Sequence, residues 1–60
     1  MPRLKQLRED NFLTQEELAE KVGCAEHTIS NWERGKQKPT FRNIRKLAKI
    51  LKVNPKDIQF

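Results

Sequence analysis

The side chains of this 60-residue chain that could do chemistry are mostly hydrogen-bonding or cationic groups. It has one histidine, His27, one cysteine, Cys24, and no glycine-rich loop to cradle a phosphate. No acid–base or nucleophilic set can be assembled from these, and the chain reads as a non-enzyme. One Cys and one His also fall short of the three or four ligands of a zinc site, so neither metal nor other cofactor is expected. What stands out is a group of short or planar polar residues: Glu26, His27, Ser30, Asn31 and Arg34. Such groups read base edges in the major groove. Asn pairs with adenine and Arg with guanine, Glu accepts from cytosine, and Ser bonds to several bases. A merely solvated helix face would carry more Lys and Glu, as residues 15–22 partly do.

The charge pattern points to the same kind of partner. Residues 1–30 hold four basic against six acidic residues, a net −2, and residues 31–60 hold nine against two, a net +7. The whole chain carries +5, and its basic half is where the phosphates of a polyanion would sit. A solvated basic surface with no partner fits the charge alone equally well. The N-terminal MPRLKQLR is basic without an apolar run, and no apolar stretch exceeds two residues. No signal peptide or membrane span is expected, and a lone cysteine suits a reducing cytoplasm.

Helices must position these groups, because the apolar residues recur at helical spacing and no window alternates with period 2. Leu4 and Leu7 define a first helix of about two turns that ends near Asp10. Thr14 and Glu17 form a capping box that opens a second helix, with Leu18, Ala19 and Val22 as its buried stripe and Gly23 as its stop. Ile29 and Trp32, with Ala25 one turn before, form the buried stripe of a third helix over about 26–34, which stops at Gly35. Only Gly23 and Cys24 clearly separate the second and third helices. So short a link forces a sharp turn, the arrangement of a helix-turn-helix over about 14–34. Thr40 caps a fourth helix from Phe41 to about Lys52, with the stripe Phe41, Ile44, Leu47, Ala48 and Leu51. Asn54-Pro55 opens a last turn to Ile58, with Val53, Ile58 and Phe60 packing back.

Several of these residues carry plainer readings. Trp32 is core, since no second aromatic accompanies it as a stacking platform. Cys24 is a small turn residue without a resolving partner for redox sensing. His27 is either a DNA contact or an ordinary exposed side chain. Glu26 admits three roles: it reads a cytosine, it stabilises the helix dipole, or it repels phosphates and so rejects wrong sites.

Taken together, LTQEELAEKVG at 13–23, TISNWERGK at 28–36 and KPT at 38–40 closely resemble the Cro and lambda-repressor-like regulators, the xenobiotic-response-element family. The resemblance runs from about Leu4 to Ile58. It implies an all-α, five-helix domain over 1–60 that binds DNA as a homodimer on an operator with two related half-sites. It implies a bacterial or phage-encoded, nucleoid-associated transcriptional regulator, more often a repressor. By the same resemblance Gln15 contacts a phosphate and braces the third helix, and Ala25, Glu26, His27, Ser30 and Asn31 face bases. Thr28, Arg34, Lys36, Lys38 and Arg42 fall at or near backbone-contacting positions. Arg8 and Glu33 match an ion pair that ties the first helix to the third.

Two residues depart from the family pattern. Ala25 stands where Ser or Thr usually caps, which costs about 1 kcal/mol, although its methyl could meet a thymine methyl. Phe12 stands where Gly is frequent, so Asn11 is expected to supply the left-handed residue of that turn. The same fold also serves as the antitoxin in toxin–antitoxin pairs, a competing reading. A third is that these residues are the DNA-binding part of a longer regulator.

Overall fold

The second helix starts where its capping box places it. In a computed structural model that describes residues 3–60, the Glu17 amide donates to Thr14 Oγ1 at 3.1 Å and the Thr14 amide donates to Glu17 Oε1 at 2.8 Å. Two of the orphan amides at that end are thereby satisfied. The element order is α1 (Leu4–Asp10), α2 (Gln15–Val22), α3 (Glu26–Glu33) and α4 (Phe41–Leu51), closed by a 3₁₀ turn at Pro55–Asp57. Residues 1 and 2 of the expected 1–60 domain lie outside the described residues.

The turn after α1 is built differently from the sequence expectation. Asn11 keeps φ −96°, and Phe12 takes the left-handed φ of +57°. The hydrogen bonds explain the shift. The Phe12 amide donates to the Glu9 carbonyl at 2.9 Å and the Leu13 amide to the Arg8 carbonyl at 3.2 Å. This paired closure puts the positive φ one residue later than Asn11 and turns Leu13 inward against the core. Asn11 instead returns its side chain to the Leu7 carbonyl at 2.8 Å.

Between α2 and α3 the positive φ falls on Gly23, at +89°, and the amides of Gly23 and Cys24 both close on the Ala19 carbonyl. Ala25 occupies the N-cap of α3 without a side-chain bond, and it is exposed. It therefore lies outside the buried stripe in which its spacing placed it. That stripe consists of Ile29 and Trp32, at 0% and 3% exposure.

Helix α4 is capped by Thr40 Oγ1, which accepts from the Asn43 amide at 3.3 Å. Its buried face is Leu47, Ala48 and Leu51, while Ile44 is half-buried and Phe41 stands 68% exposed. The expected five-residue stripe is therefore cut to its C-terminal half, because the first turn of α4 overhangs the core. The expected fifth α-helix is absent, which makes four α-helices among the described residues. Pro55–Asp57 is three residues long, and the Asn54 side chain makes no cap bond. The chain leaves the turn at Ile58, which is extended (φ −93°, ψ 127°) and buried, so too few residues remain to form an i→i+4 helix. A parallel bridge between Arg3 and Gln59 brings the two ends of the described chain together.

The core is one cluster. Leu4 and Leu7 of α1 and Leu18, Ala19 and Val22 of α2 meet Ile29, Trp32, the α4 face and Ile58. α2 packs against both α3 and α4, and α1 reaches α3. The helix that carries the polar strip is thus held from two sides.

Candidate nucleic-acid interface

With Ile29 and Trp32 inside, a rotation of about 100° per residue sends the rest of α3 outward. Glu26, His27 and Arg34 are exposed, and Thr28, Ser30 and Asn31 are half-buried. None of these six side chains makes a hydrogen bond or ion pair within the described chain. Their donors and acceptors stand free on one face. Buried polar groups in proteins are normally paired, so a free mixed strip has its partner in solvent or in a ligand.

Glu33 is the acid of α3 that is not free. Arg8 Nε donates to its Oε2 at 2.6 Å and Arg8 Nη2 to its Oε1 at 3.4 Å, while Gln15 Nε2 donates to Oε1 at 3.0 Å. A further donor of Arg8, Nη1, bonds the Leu13 carbonyl at 2.8 Å. The Arg8 and Glu33 side chains are only 11% and 4% exposed, and they form the sole ion pair among the described residues. This carboxylate therefore joins α1, the start of α2 and the end of α3, and Arg8 extends the network to the α1–α2 turn. The sequence did not foretell the Leu13 carbonyl as part of this network, since a main-chain acceptor leaves no residue-type signal.

The cations follow the strip in the chain. After α3 ends, Gly35 at φ +75° reverses the chain, and the amides of Lys36 and Gln37 return to the Asn31 carbonyl. Lys36 and Lys38 then project from an exposed loop, and Arg42 follows on the first turn of α4. Three cations that the site reading did not single out, Arg45, Lys46 and Lys49, line one concavity with Arg42. Cys24 lies half-buried in the turn before α3. Burial raises its thiol pKa above the ordinary value, and the nearby charge of Lys46 partly offsets that. No helix among the described residues is long and apolar enough to cross a membrane, and no group of His, Cys, Asp and Glu is arranged to hold a metal.

Comparison with known proteins agrees with this geometry. The helix-turn-helix family description matches residues 4–58. An uncharacterized HTH-type transcriptional regulator of Methanocaldococcus jannaschii is 41% identical over 56 residues, which cover 93% of this chain and 85% of that protein. Another, from Archaeoglobus fulgidus, is 38% identical over 56 residues, covering 93% and 80%. The type II methyltransferase M.Sau96I of Staphylococcus aureus is 36% identical over 55 residues, covering 92% of this chain but 13% of that enzyme. No solved structure matches the chain significantly. Free polar strip, braced third helix and family match converge: the chain belongs to the helix-turn-helix family of DNA-binding transcriptional regulators, in its xenobiotic-response-element branch.

Proposed function

We propose that residues 1–60 act as one sequence-specific DNA-binding domain, and that it represses transcription by occupying an operator and excluding polymerase. The recognition helix, residues 26–34, enters the major groove. Ala25, Glu26, His27, Ser30 and Asn31 face bases, and Thr28, Arg34, Lys36, Lys38 and Arg42 hold the sugar–phosphate backbone. Gln15 Nε2 gives one hydrogen to Glu33 and has a second to offer a phosphate at the start of α2, where free main-chain amides also favour an anion. The observation that carries this reading is the free strip on α3 opposite Ile29 and Trp32.

The operator is a pair of related half-sites about one helical turn, roughly 34 Å, apart, bound by two copies of the chain. Ile58 is buried, and Val53 and Phe60 are half-buried against the core. The apolar surface that remains beside them is Phe41, Ile44 and Pro55, which border one groove with Asn54 and Lys56. A second copy meeting this patch across a two-fold axis would present the same residues to each other. The site of action is the cytoplasm, on the nucleoid.

One finding favours a variant of this reading: a large enzyme carries a similar segment as 13% of its length. In that variant the domain is the DNA-binding part of a longer protein. The antitoxin reading has no comparable support. Selection of duplexes from a randomised pool tests the proposal directly. The expected product is a two-fold-symmetric consensus, and recovery of no consensus at moderate salt overturns it.

A further inference from the structure

The four cations of α4 have no role inside the protein. Arg42, Arg45, Lys46 and Lys49 follow the spacing i, i+3, i+4, i+7, which stacks them on one helix face, and all four are exposed around a shared concavity. Helix α4 contains no acidic residue, and none of the four has a carboxylate within ion-pair distance among the described residues. Like charges at this spacing repel along a helix, so folding does not explain their grouping. An ordinary solvated face mixes signs; this one does not. Arg45 is partly fixed, its guanidinium carbon lying 5.8 Å from the Phe41 ring centroid, which leaves its N–H groups available outward.

The position of the stripe says which anion it meets. It continues directly from Arg42, beside the Thr40 cap and the loop that carries Lys36 and Lys38. Helix α4 also packs against α2, the first helix of the helix-turn-helix, and the charge of Lys46 partly offsets the effect of burial on the Cys24 thiol. From Arg42 to Lys49 the helix rises about 10 Å, room for about three phosphates at 3.4 Å of rise per strand.

We propose that Arg42, Arg45, Lys46 and Lys49 form a phosphate track on α4 that grips DNA flanking the half-site, beyond the bases that α3 reads. This rests on the DNA-binding reading above and adds a length requirement to it. The track makes affinity depend on flanking duplex of any sequence.

The test uses the full chain and the triple variant Arg45→Gln, Lys46→Gln, Lys49→Gln, checked for an unchanged melting temperature. The probe is the selected consensus duplex in two lengths, with and without about one helical turn (10 base pairs) of flank on each side. With flanks, the triple variant is expected to lose about 2.7 from the slope of log affinity against log salt. The parent would then weaken about 40-fold more than the variant when salt is raised fourfold. Without flanks the two proteins should match, and the Lys/Arg-swapped variant R45K/K46R/K49R should behave as the parent on both. Equal slopes for parent and triple variant on the long duplex overturn the track, and so does an equal loss on both lengths. Equal slopes with loss of binding to poly-glutamate would also overturn it, placing an acidic protein on this face instead. Failure of the parent to prefer the consensus over a scrambled duplex is a separate result, one that removes the underlying DNA reading.

Discussion

Replacing Glu33 by Gln keeps the side-chain shape and removes one charge at the point where α1, α2 and α3 meet. Its carboxylate is 4% exposed and takes three donors, two from Arg8 and one from Gln15. Arg8, 11% exposed, would keep the Leu13 carbonyl and at most the one oxygen of the new amide as acceptors, and no counter-charge. Leaving a buried charge without its counter-ion costs about 3–5 kcal/mol. A 60-residue domain has only about 3–9 kcal/mol of stability in total, so Glu33→Gln is expected to lie at the edge of folding. At about 4–8 °C per kcal/mol, its melting temperature should fall by at least about 12 °C. Met at both positions removes both charges together, and the remaining cost is the unpaired Leu13 carbonyl and Gln15 amide, about 1–2 kcal/mol. Urea denaturation of parent, Glu33→Gln, Arg8→Met, Glu33→Met and the double Met variant, followed by circular dichroism, closes the cycle. With each Met substitution alone costing about 3–5 kcal/mol and the pair about 1–2, a coupling of at least about 4 kcal/mol is expected between them. If Glu33→Gln costs under about 1 kcal/mol and the coupling is near zero, the pair is screened as a surface ion pair would be. The brace on α3 would then have to come from apolar packing alone.

Other perturbations separate fold from function. Phe12 is 92% exposed at φ +57°, so Phe12→Gly removes strain without losing burial and should stabilise by about 1 kcal/mol in thermal melts. A destabilised variant would mean that the side chain packs in solution. Asn31→Ala should relax preference at one operator position at a cost of about 1–3 kcal/mol, while Lys38→Ala should weaken all duplexes alike and lower the salt slope by about 1. Uniform losses from both would remove Asn31 from the reading face. Phe41→Ser should abolish self-association in light scattering at several concentrations and leave the melting temperature within about 0.5 kcal/mol of stability, as expected for an exposed site. A parent that stays monomeric even on the two-half-site duplex would remove the Phe41 interface.

Helix starts and the core stripe of α2 were legible because capping boxes and apolar spacing are local signals. Thr14, Glu17 and Gly23 act within one turn of themselves, and Leu18, Ala19 and Val22 face inward by periodicity alone. The misread positions depend on information from outside their own segment. Phe12 takes the left-handed turn because Leu13 must reach the core. Phe41 has the spacing of a core residue, but the bundle ends before α4 begins to pack, so its ring stays in solvent. Ala25 likewise follows the Ile29 stripe by spacing yet lies at the N-cap, outside the packed turns. At the site, the strip at 26, 27, 30, 31 and 34 could be read from helical rotation once Ile29 and Trp32 were assigned to the core. The grouping of Arg45, Lys46 and Lys49 with Arg42 on one face follows from the same rotation, but not that the fold leaves this face open around a hollow, which depends on what packs beside α4.

The two acids of α3 show how one helix divides its labour. Glu33 is neutralised from behind by Arg8 and hydrogen-bonded by Gln15, so it adds little repulsion toward phosphates. Glu26 has no such partner: it is exposed on the first turn of the face proposed to meet DNA, with no cap bond from Ala25 beside it. It serves the helix dipole at a worth of about 0.3–1 kcal/mol, and it also puts an unshielded negative charge where phosphate would sit in a misaligned complex. A charge so placed gives specificity by weakening wrong complexes more than the right one. Glu26→Gln should therefore cost up to about 1 kcal/mol of stability while raising affinity for random duplex more than for the selected one. Competition binding at fixed salt measures that ratio. A drop in affinity confined to the selected duplex would instead make Glu26 a base reader, and an unchanged ratio would leave it only the dipole.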